Sequence, residues 1–529
     1  MSGGRAGSGE PSSLPGAGGA PVSSNQAEQA LPTLAQAARD CGVEAYAVGG
    51  YVRDRLLGVT TTDVDVLITG ALREIVERVR APLHAAVVRL REAQPTIRLV
   101  FSDRSHIDLS LPRAAPQSET DHEVRPTPDS RTLCEDLRLR DFTINALAVP
   151  LAAVGADQWR RRIVDPTGGR EDLKRGVVRA ASPAVWQDDP VRLWRALRLA
   201  AQLGFDLDTA TEAGIRDHAG LAATVAAERI RDELFALLAR GDADAWLARA
   251  AELGLLFAIL PELAALPSLA HGGYHHLDGW HHTLAVVAQI HELIEQAPGM
   301  SNTQREKLRR AFAKPVAGER ARPALLKLAG LLHDTGKPAA RSEDGDGGVH
   351  FYGHEKLGAA IASDAAHRLR LGRREVQYLE AVTRLHMHPA LLAQQQEVSR
   401  RAAHRFFRKA GIHAPDVLIL AWADRLSARG PAASPEHIER VQQVIRWLLG
   451  EWLERGPLSH PQPPVGARAI MRRYGLPSGP EVGRVLKVLS RRHAEQPFME
   501  AQAAWAFLDR VVRRPTAPEI ELRDDGESQ

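Results

Sequence analysis

Cysteine is scarce in this chain: Cys41 and Cys134 are the only two among 529 residues. So few cysteines argue against a disulfide scaffold or a zinc ribbon and are typical of a reducing compartment. Apolar runs are also short, so none reaches membrane-spanning length, and the N-terminus lacks the apolar core of a signal peptide. We therefore expect a cytoplasmic protein with no membrane partner.

The charge balance also excludes strongly acidic and strongly basic classes of protein. The chain has 68 Lys and Arg against 65 Asp and Glu, a formal net charge of +3, with 44% hydrophobic residues. These values describe an ordinary globular protein, and its length predicts two to four domains. Arginine outnumbers lysine and favours bidentate contacts with phosphate, so a polyanionic partner is compatible with the composition but not required by it.

Local patterns divide the chain into an α/β part and a longer, all-helical part, so we expect a mostly α protein. Short apolar runs (AYAVGG, VDVLITG, TIRLVFS, HIDLSL, INALAVPL) alternate with helical patterns such as ALREIVERVRAPLHAA, which predicts a small mixed β-sheet with helices. Beyond Gly169 the apolar period is helical. The predicted boundaries are a disordered tail at 1–28, an α/β head at 29–165, a helical neck at 166–262, a histidine-rich helical domain at 263–430, a helical tail at 431–515 and a disordered end at 516–529.

The stretch VGGYVRDRLLGVTTTDVDVLITG opens with two glycines before a short helical pattern. Gly49 and Gly50 let the backbone approach a phosphate, and the first amides of the helix would face the same anion. Arg53 lies one turn into that helix and is predicted to face a triphosphate. Glycine pairs usually mark simple turns, but this one belongs to a strand–turn–helix–strand unit, which favours the phosphate interpretation.

Two aspartates at spacing two follow on the next predicted strand. Side chains at this spacing project to the same side of a strand, so Asp63 and Asp65 can together hold two magnesium ions beside a phosphate. Asp108, in HIDLSL, is the candidate for a third carboxylate on an adjacent strand. Two such ions activate a hydroxyl and stabilise a pyrophosphate leaving group.

Arginines recur every three residues in DDPVRLWRALRLAAQLGF. Arg192, Arg195 and Arg198 therefore form a basic stripe along one helix face. Spacing alone favours a solvated charged face. Together with the preceding aspartates, however, the stripe supplies donors and acceptors that can pair with the edge of a cytosine or an adenine.

These motifs resemble, in order, those of class II tRNA nucleotidyltransferases (CCA-adding enzymes) and their bacterial poly(A) polymerase relatives. VGGYVRDRLLGVTTTDVDVLITG is similar to the catalytic signature, EDLRLRDFTINALAV to the second motif, DPTGGREDL to the hinge, DDPVRLWRALRLAAQLGF to the neck helix and GARAIMRRYGLPSGPEVGRVLKVL to a tail segment. The resemblance implies a nucleotidyltransferase that uses Mg²⁺, CTP and ATP and that binds the acceptor and T arms of tRNA.

The resemblance also implies residue roles. Arg140 and Asp141 would recognise the ribose, Asn145 would shape the pocket, and Asp189 with Arg192 would select the base. The full set of predicted nucleotide-binding residues is Gly49, Gly50, Arg53, Arg140, Asp141, Asn145, Asp189, Arg192, Arg195 and Arg198.

Two departures from the family pattern bear on specificity. Leu139 stands where the second motif usually has another arginine. The loop between Arg113 and Glu135 keeps the length expected of full CCA enzymes but matches their usual sequence poorly. We therefore expect complete CCA addition, and we keep as an alternative an enzyme that adds only CC or only A and works with a sister nucleotidyltransferase.

Histidines are dense in the middle of the chain, where HHLDGWHHTL, LLHDTGKP, HFYGHEKLGA, RLHMHP and AWADRLSARG occur. Buried histidines are costly unless they bind a ligand or another polar group. The pattern resembles HD-type metal phosphohydrolases, which implies one divalent metal held by His282, His333, Asp334 and Asp424, a second site using His354 and His386, and a phosphate-facing Lys337.

Imidazole and carboxylate ligands together suit Mn, Ni or Co in such a site. The neighbouring His276, His281 and His388 leave the choice within each pair open. Two further alternatives remain at this point: a phosphohydrolase whose head only binds a regulatory nucleotide, and an RNA-binding factor in which both sites have decayed.

Overall fold

The computed structural model describes residues 25–91, 96–112, 130–269, 277–318, 320–345, 348–428, 434–455, 464–495 and 500–512. The predicted disordered end and most of the predicted disordered tail lie outside these ranges, as does most of the loop after Arg113. Two compact units are present: one holds residues up to Arg192 together with Gln202–Gly214, and the other holds Leu193–Ala201 and the residues from Ile215 onward.

A mixed β-sheet lies at the centre of the first unit, as the sequence predicts. Its strands are β1 (Ala45–Val48), β2 (Asp63–Ile68), β3 (Ala86–Arg91), β4 (Thr96–Val100), β5 (His106–Ser110) and β6 (Ala148–Pro150). Their spatial order is β3–β4–β5–β2–β1–β6. Strands β2 and β5 run parallel, whereas the other neighbouring pairs are antiparallel.

Four helices accompany the sheet. They are α1 (Gln26–Asp40), α2 (Gly50–Leu57), α3 (Leu72–Val79) and α4 (Ser130–Arg138). Helix α1 begins three residues before the predicted start of the head, because the Asn25 side chain accepts the amide of Glu28 at 3.0 Å and caps the helix. Leu133 and Leu137 of α4 pack against β1 and β2 in one apolar cluster.

Strand β3 is the main element that the sequence patterns do not predict. The helical pattern of ALREIVERVRAPLHAA ends in the structure at Val79, and the chain turns at His84, whose φ is +49°. Strand β3 lies at the sheet edge, where Val87, Val88 and Leu90 are exposed. An edge strand with exposed apolar residues lacks the alternation that reveals a half-buried strand.

Short helices follow the sheet along the chain. The helices are α5 (Gly169–Arg175), α6 (Val185–Asp188), α7 (Arg192–Leu203), α8 (Thr209–His218), α9 (Ala227–Leu238), α10 (Ala243–Glu252) and α11 (Leu255–Ile259). Two short strands among them, β7 (Val177–Val178) and β8 (Asp206–Leu207), form a parallel pair. Helix α5 approaches the 3₁₀ turn Thr143–Asn145 so closely that any side chain at Gly169 would collide with the Thr143 carbonyl. Only glycine therefore fits at this contact.

In its described residues, the histidine-rich segment is helical apart from one antiparallel strand pair. Its elements are α12 (Gly279–Gln296), α13 (Asn302–Phe312), α14 (Arg322–Leu332), α15 (Lys337–Ala340), β9 (Ser342–Glu343), β10 (Val349–His350), α16 (His354–Arg368), α17 (Arg373–Leu385), α18 (His388–Ala393), α19 (Arg400–Ala410) and α20 (Ala414–Ser427). Helices α14 and α20 bury most of their side chains. Arg322 and Asp416 join them through a buried ion pair of 2.5 and 2.9 Å.

The described residues from Pro435 onward form helices as well. These are α21 (Pro435–Arg455), α22 (Ala467–Tyr474), α23 (Pro480–Glu495) and α24 (Ala501–Val511). The last three helices share a small core around Ile470, Leu489 and Leu508. The prediction of a mixed sheet followed by helical domains is thus confirmed. None of the described helices is long and apolar enough to cross a bilayer.

Candidate active sites

The predicted carboxylates meet on the central parallel strand pair. Asp65 of β2 lies opposite Asp108 of β5, and Asp63 lies opposite His106. The apolar residues that alternate with them, Val64, Val66, Ile107 and Leu109, are fully buried in the core. Because side chains alternate along a strand, the aspartates project from the other face of the sheet.

His106 is a member of this cluster that the sequence analysis missed. Asp63, His106 and Asp108 can each offer one ligand atom, and these atoms lie within 4.8 Å of one another. His106 Nε2 is 3.0 Å from Asp63 Oδ1. The signal was present in HIDLSL, since His106 stands two residues before Asp108 and so shares its face of the strand.

Arg98 on β4 is a second residue that the motifs do not reveal. Its Nε and Nη2 atoms each donate to one oxygen of Asp108 at 2.7 Å. Such a two-point contact fixes the plane of the carboxylate as well as its position. Arg98 lies opposite Asp108 across the antiparallel β4–β5 pair, so only the strand register brings the two residues together.

The pKa values of Asp65 and Asp63 are raised, mainly by burial. Burial, with repulsion from Asp63 and Asp108, raises the pKa of Asp65 to about 6, although Arg140 opposes the shift. Burial also raises the pKa of Asp63; His106 counteracts this and Asp108 adds to it. Clustered oxygen donors with mutual repulsion fit a hard divalent cation, which would neutralise their charge.

Gly49 brings the backbone close to these carboxylates. Its φ is +72°, and a Cβ atom there would lie 2.9 Å from Arg140 Nη1 and 3.1 Å from Asp65 Oδ2. A larger residue would therefore be strained and crowded. Gly50 follows as the first residue of α2, so the amides at the start of this helix lie next to the carboxylate cluster.

Three predicted nucleotide-binding residues form one hydrogen-bonded chain. Arg53 is 6% exposed; it donates to Asp54 at 2.8 Å and to Asn145 Oδ1 at 2.7 Å. Asn145 in turn donates to Asp141 Oδ1 at 3.1 Å. The chain ties α2 to the 3₁₀ turn that carries Asn145, and the expected contact between Arg53 and a triphosphate stays a prediction.

Arg192 connects the start of α7 to the second motif. Its guanidinium is buried and donates to the carbonyls of Val185 at 3.5 Å and Leu139 at 3.4 Å. Asp189 ends α6, and its carbonyl accepts the Arg192 amide at 3.0 Å. Arg140 is held by Asp136 at 3.3 Å. These residues thus belong to the same unit as the carboxylates.

Arg195 and Arg198 have a partner that the sequence analysis did not anticipate. Both contact Glu233 of α9, Arg195 at 3.3 Å and Arg198 through a short ion pair. They belong to the second unit, whereas Arg192 belongs to the first. The stripe is therefore partly neutralised within the helical unit, and base selection by these two arginines stays a prediction.

The predicted HD residues converge in the second unit. All are buried: His282 on α12, His333 and Asp334 after α14, His354 at the start of α16, His386 after α17 and Asp424 on α20. His282 Nε2 lies 3.1 Å from Asp424 Oδ1 and 3.6 Å from Asp334 Oδ2. His354 Nε2 lies 3.5 Å from Asp334 Oδ1 and 3.4 Å from His386 Nε2.

Backbone carbonyls orient three of these imidazoles. The Nδ1 atoms of His333, His354 and His386 lie 2.7 to 2.8 Å from the carbonyls of Gly330, Phe351 and Thr383, respectively. Each ring is thereby held with Nε2 turned to the centre, an arrangement typical of metal-ligating histidines. His333 Nε2 is buried and lies 3.2 Å from Asp334 Oδ2, so the donor set fits a metal.

The protonation states of Asp334 and His386 also suit metal ligands. Burial opposes ionisation of Asp334, but His333 and Lys337 hold its pKa well below the usual range. Burial, together with repulsion from His333 and His354, lowers the pKa of His386 to about 3. An ionised carboxylate and a neutral imidazole are the forms that bind metals. Lys337 Nζ lies 2.6 Å from Asp334 Oδ2.

Family models match three successive parts of the chain. They are the poly A polymerase head domain at 45–179, the probable RNA and SrmB-binding site of polymerase A at 204–266, and the HD domain at 279–429. The A-adding tRNA nucleotidyltransferase of Deinococcus radiodurans is 34% identical over 476 residues, which cover 88% of this chain and 95% of that protein. The chain belongs to the tRNA nucleotidyltransferase family.

Another similar member of the tRNA nucleotidyltransferase family is the CC-adding enzyme of Thermus thermophilus, 32% identical over 88% of this chain and 93% of its own length. Among solved structures, the Thermotoga maritima CCA-adding enzyme complexed with tRNA superposes with a TM-score of 0.59 over 91% of this chain and 94% of that chain. At 18% identity this likeness shows a shared fold. This tRNA nucleotidyltransferase is thus an enzyme whose head and HD domains imply the use of divalent metal ions.

Proposed function

We propose that this tRNA nucleotidyltransferase adds or repairs the 3′-terminal CCA of tRNA, using CTP and ATP. The observation that carries the proposal is the row of Asp63, Asp65 and Asp108 beside the glycine turn of Gly49. In this proposal the 3′-hydroxyl of tRNA attacks the α-phosphate of the nucleotide and pyrophosphate leaves. The cytoplasmic location stays a prediction.

The carboxylates would hold two Mg²⁺ ions, which when bound activate the hydroxyl and stabilise the leaving group. The amides that follow Gly49 and Gly50 would receive the triphosphate, with Arg53 beneath them. The remaining predicted residues act on the nucleoside: Arg140, Asp141 and Asn145 on the ribose, and Asp189, Arg192, Arg195 and Arg198 on the base. Such positioning supplies much of the rate enhancement in reactions of bound phosphates.

A second candidate is an enzyme that adds only CC or only A. It is favoured by the two relatives described above, each of which matches nearly its whole length and is named for a single specificity. In that case a sister nucleotidyltransferase would complete the CCA end. In either case the helical tail is proposed to bind the acceptor and T arms of tRNA through shape and phosphate contacts.

Product length on defined acceptors decides between these candidates. Purified protein is incubated with tRNA ending before CCA, after the first C and after CC, with CTP, ATP or both. Complete CCA addition predicts elongation of all three acceptors to one length, whereas a split pathway predicts elongation of only some. Incorporation that persists when both Asp63 and Asp65 are changed to Ala would contradict the proposed catalytic site.

We further propose that the HD site hydrolyses phosphate esters at RNA 3′ ends or in nucleotides. Support comes from the six buried ligand candidates and from Lys337, whose ammonium lies 2.6 Å from Asp334 Oδ2 beside them. The mixed imidazole and carboxylate set suits Mn, Ni or Co. Water would add to phosphorus, and the ester oxygen would leave as a hydroxyl. Phosphate release from 3′-phosphorylated RNA, measured with each metal after chelation, tests the proposal; no release with any metal would contradict it.

A further inference from the structure

Tyr352 is the most exposed large apolar side chain among the described residues, with 80% of its surface accessible. It follows β10 and precedes the metal-ligand candidate His354 by two residues. Most tyrosines of a folded chain cover part of their ring against neighbours. An aromatic ring left in solvent next to a polar centre is therefore a candidate for ligand contact.

The Tyr352 ring is held in place before any ligand binds. It stacks on His350 with a centroid distance of 5.1 Å and an angle of 11° between the planes. His350 Nε2 in turn lies 2.8 Å from Asp344 Oδ2, across the β9–β10 hairpin. One face of the Tyr352 ring thus stacks on the His350 imidazole, which Asp344 holds in place. The high exposure of Tyr352 leaves the opposite face of its ring to solvent.

The same segment is attached directly to the HD site. The carbonyl of Phe351 lies 2.8 Å from Nδ1 of His354, and Gly353, with φ +77°, turns the chain between them. The Phe351 ring lies 5.7 Å from the Lys337 ammonium. The position of Tyr352 is therefore coupled to the residues that would hold the metal and the phosphate.

We propose that Tyr352, backed by His350, is a stacking platform for the nucleobase of a substrate whose phosphate ester lies at the HD site. This inference rests on the proposed hydrolytic function and names its substrate class, nucleoside phosphates. One ribose separates base from phosphate in such a ligand, and one residue, Gly353, separates Tyr352 from His354. A flat ring accepts any base, so the platform confers selectivity for nucleotides without sequence preference.

Hydrolysis of esters with and without a base tests the platform. The substrates are adenosine 3′-monophosphate, a short RNA with a 3′-phosphate, and glycerol 2-phosphate, which has no ring. Changing Tyr352 to Ala should raise KM for the first two by about 5- to 100-fold, the usual effect of losing one base–aromatic stack. Glycerol phosphate hydrolysis should stay unchanged, and Tyr352→Phe should restore wild-type KM. Leu391→Ala, which removes another exposed apolar side chain, serves as the matched control.

The outcomes separate this inference from the proposed function. Equal KM for wild type and Tyr352→Ala on both nucleotide substrates overturns the platform, as does an equal loss on glycerol phosphate. An effect on RNA alone or on the free nucleotide alone identifies which source of nucleoside phosphate the platform serves. If wild type hydrolyses none of the esters, the hydrolytic function fails. Equilibrium dialysis of adenosine 3′-monophosphate then still decides: equal binding by wild type and Tyr352→Ala overturns the platform.

Discussion

Both carboxylate oxygens of Asp108 accept hydrogen bonds from Arg98. The orientation of Asp108 therefore depends on a residue outside every recognised motif. The catalytic signature predicts which side chains gather at the site, but not what holds them. His106 and Arg98 escaped the sequence analysis because their contacts arise from strand register, which local patterns do not define. Glu233 escaped it because a helix pattern does not show which faces pair.

Changing Arg98 to Met should lower kcat for nucleotide incorporation by about 10- to 100-fold, the usual effect of removing a residue that orients a ligand. Arg98 acts as a positioning residue, so KM for CTP should change little, while the Mg²⁺ concentration for half-maximal rate should rise. Arg98→Lys should recover only part of the rate, since lysine lacks the planar fork. Steady-state kinetics across Mg²⁺ concentrations measure this.

Arg78→Met provides the control, because it removes an exposed arginine that pairs with Glu74 on α3. Exposed pairs of this kind contribute little to stability. A kcat for Arg98→Met equal to that of the control would show that Asp108 needs no such support.

Lys327 on α14 gives a pH dependence of stability. It is buried and donates to the Arg240 carbonyl, and burial lowers its pKa to about 8 from 10.5, although Asp244 and Asp242 oppose the shift. The unfolded chain then binds the proton more strongly, so folding stability is reduced below pH 8 and rises as pH increases from 8 to 10.5. Urea unfolding at pH 7.5 and at pH 10 should show wild type gaining stability relative to Lys327→Met. A constant difference between the two proteins would refute this.

The sequence predicted the positions of strands and helices where their apolar pattern matches the way they are buried. Strands β1, β2, β4 and β5 coincide with short apolar runs, and the buried helix α14 with LLKLAGLL. Strand β3 was not predicted because its apolar residues lie at an exposed sheet edge. The HD residues, which lie in five separate segments, were predicted from the resemblance to HD-type phosphohydrolases, because such a motif, unlike strand register, is visible in the sequence. The contact between α5 and the Asn145 turn had no sequence signal beyond a glycine pair.

Gly169→Ala tests that contact between elements. The added methyl group would meet the Thr143 carbonyl, so α5 or the turn carrying Asn145 must shift. Overpacking of this kind costs about 1 to 3 kcal/mol, and we expect a lower Tm together with a raised KM for CTP and ATP. Thermal unfolding and initial rates measure both.

Gly155→Ala is the matched control, since a Cβ atom there meets nothing within 4 Å. If Gly169→Ala behaved like this control, α5 would not set the position of Asn145.

At the scale of the whole molecule, the two candidate sites belong to separate compact units. We therefore expect their activities to be separable. Asp65→Asn should abolish nucleotide incorporation and leave ester hydrolysis intact, and Asp334→Asn should do the reverse. Parallel assays of both activities on one preparation of each variant check this. Loss of both activities in either variant, with an unchanged Tm, would show that the sites depend on each other.

The parallel pairing of β2 with β5 also bears on how the head folds. The two strands are separated in the chain by residues 69–105, whereas β3, β4 and β5 are sequential antiparallel neighbours. Closing a long loop costs more entropy than pairing adjacent strands. Pulsed hydrogen exchange during refolding should therefore protect the amides of Ile97 and Leu99 before those of Val64 and Val66, and simultaneous protection would contradict this. A newly made chain would then pair β3, β4 and β5 first. The carboxylates that would bind the metal ions and nucleotide would come together last.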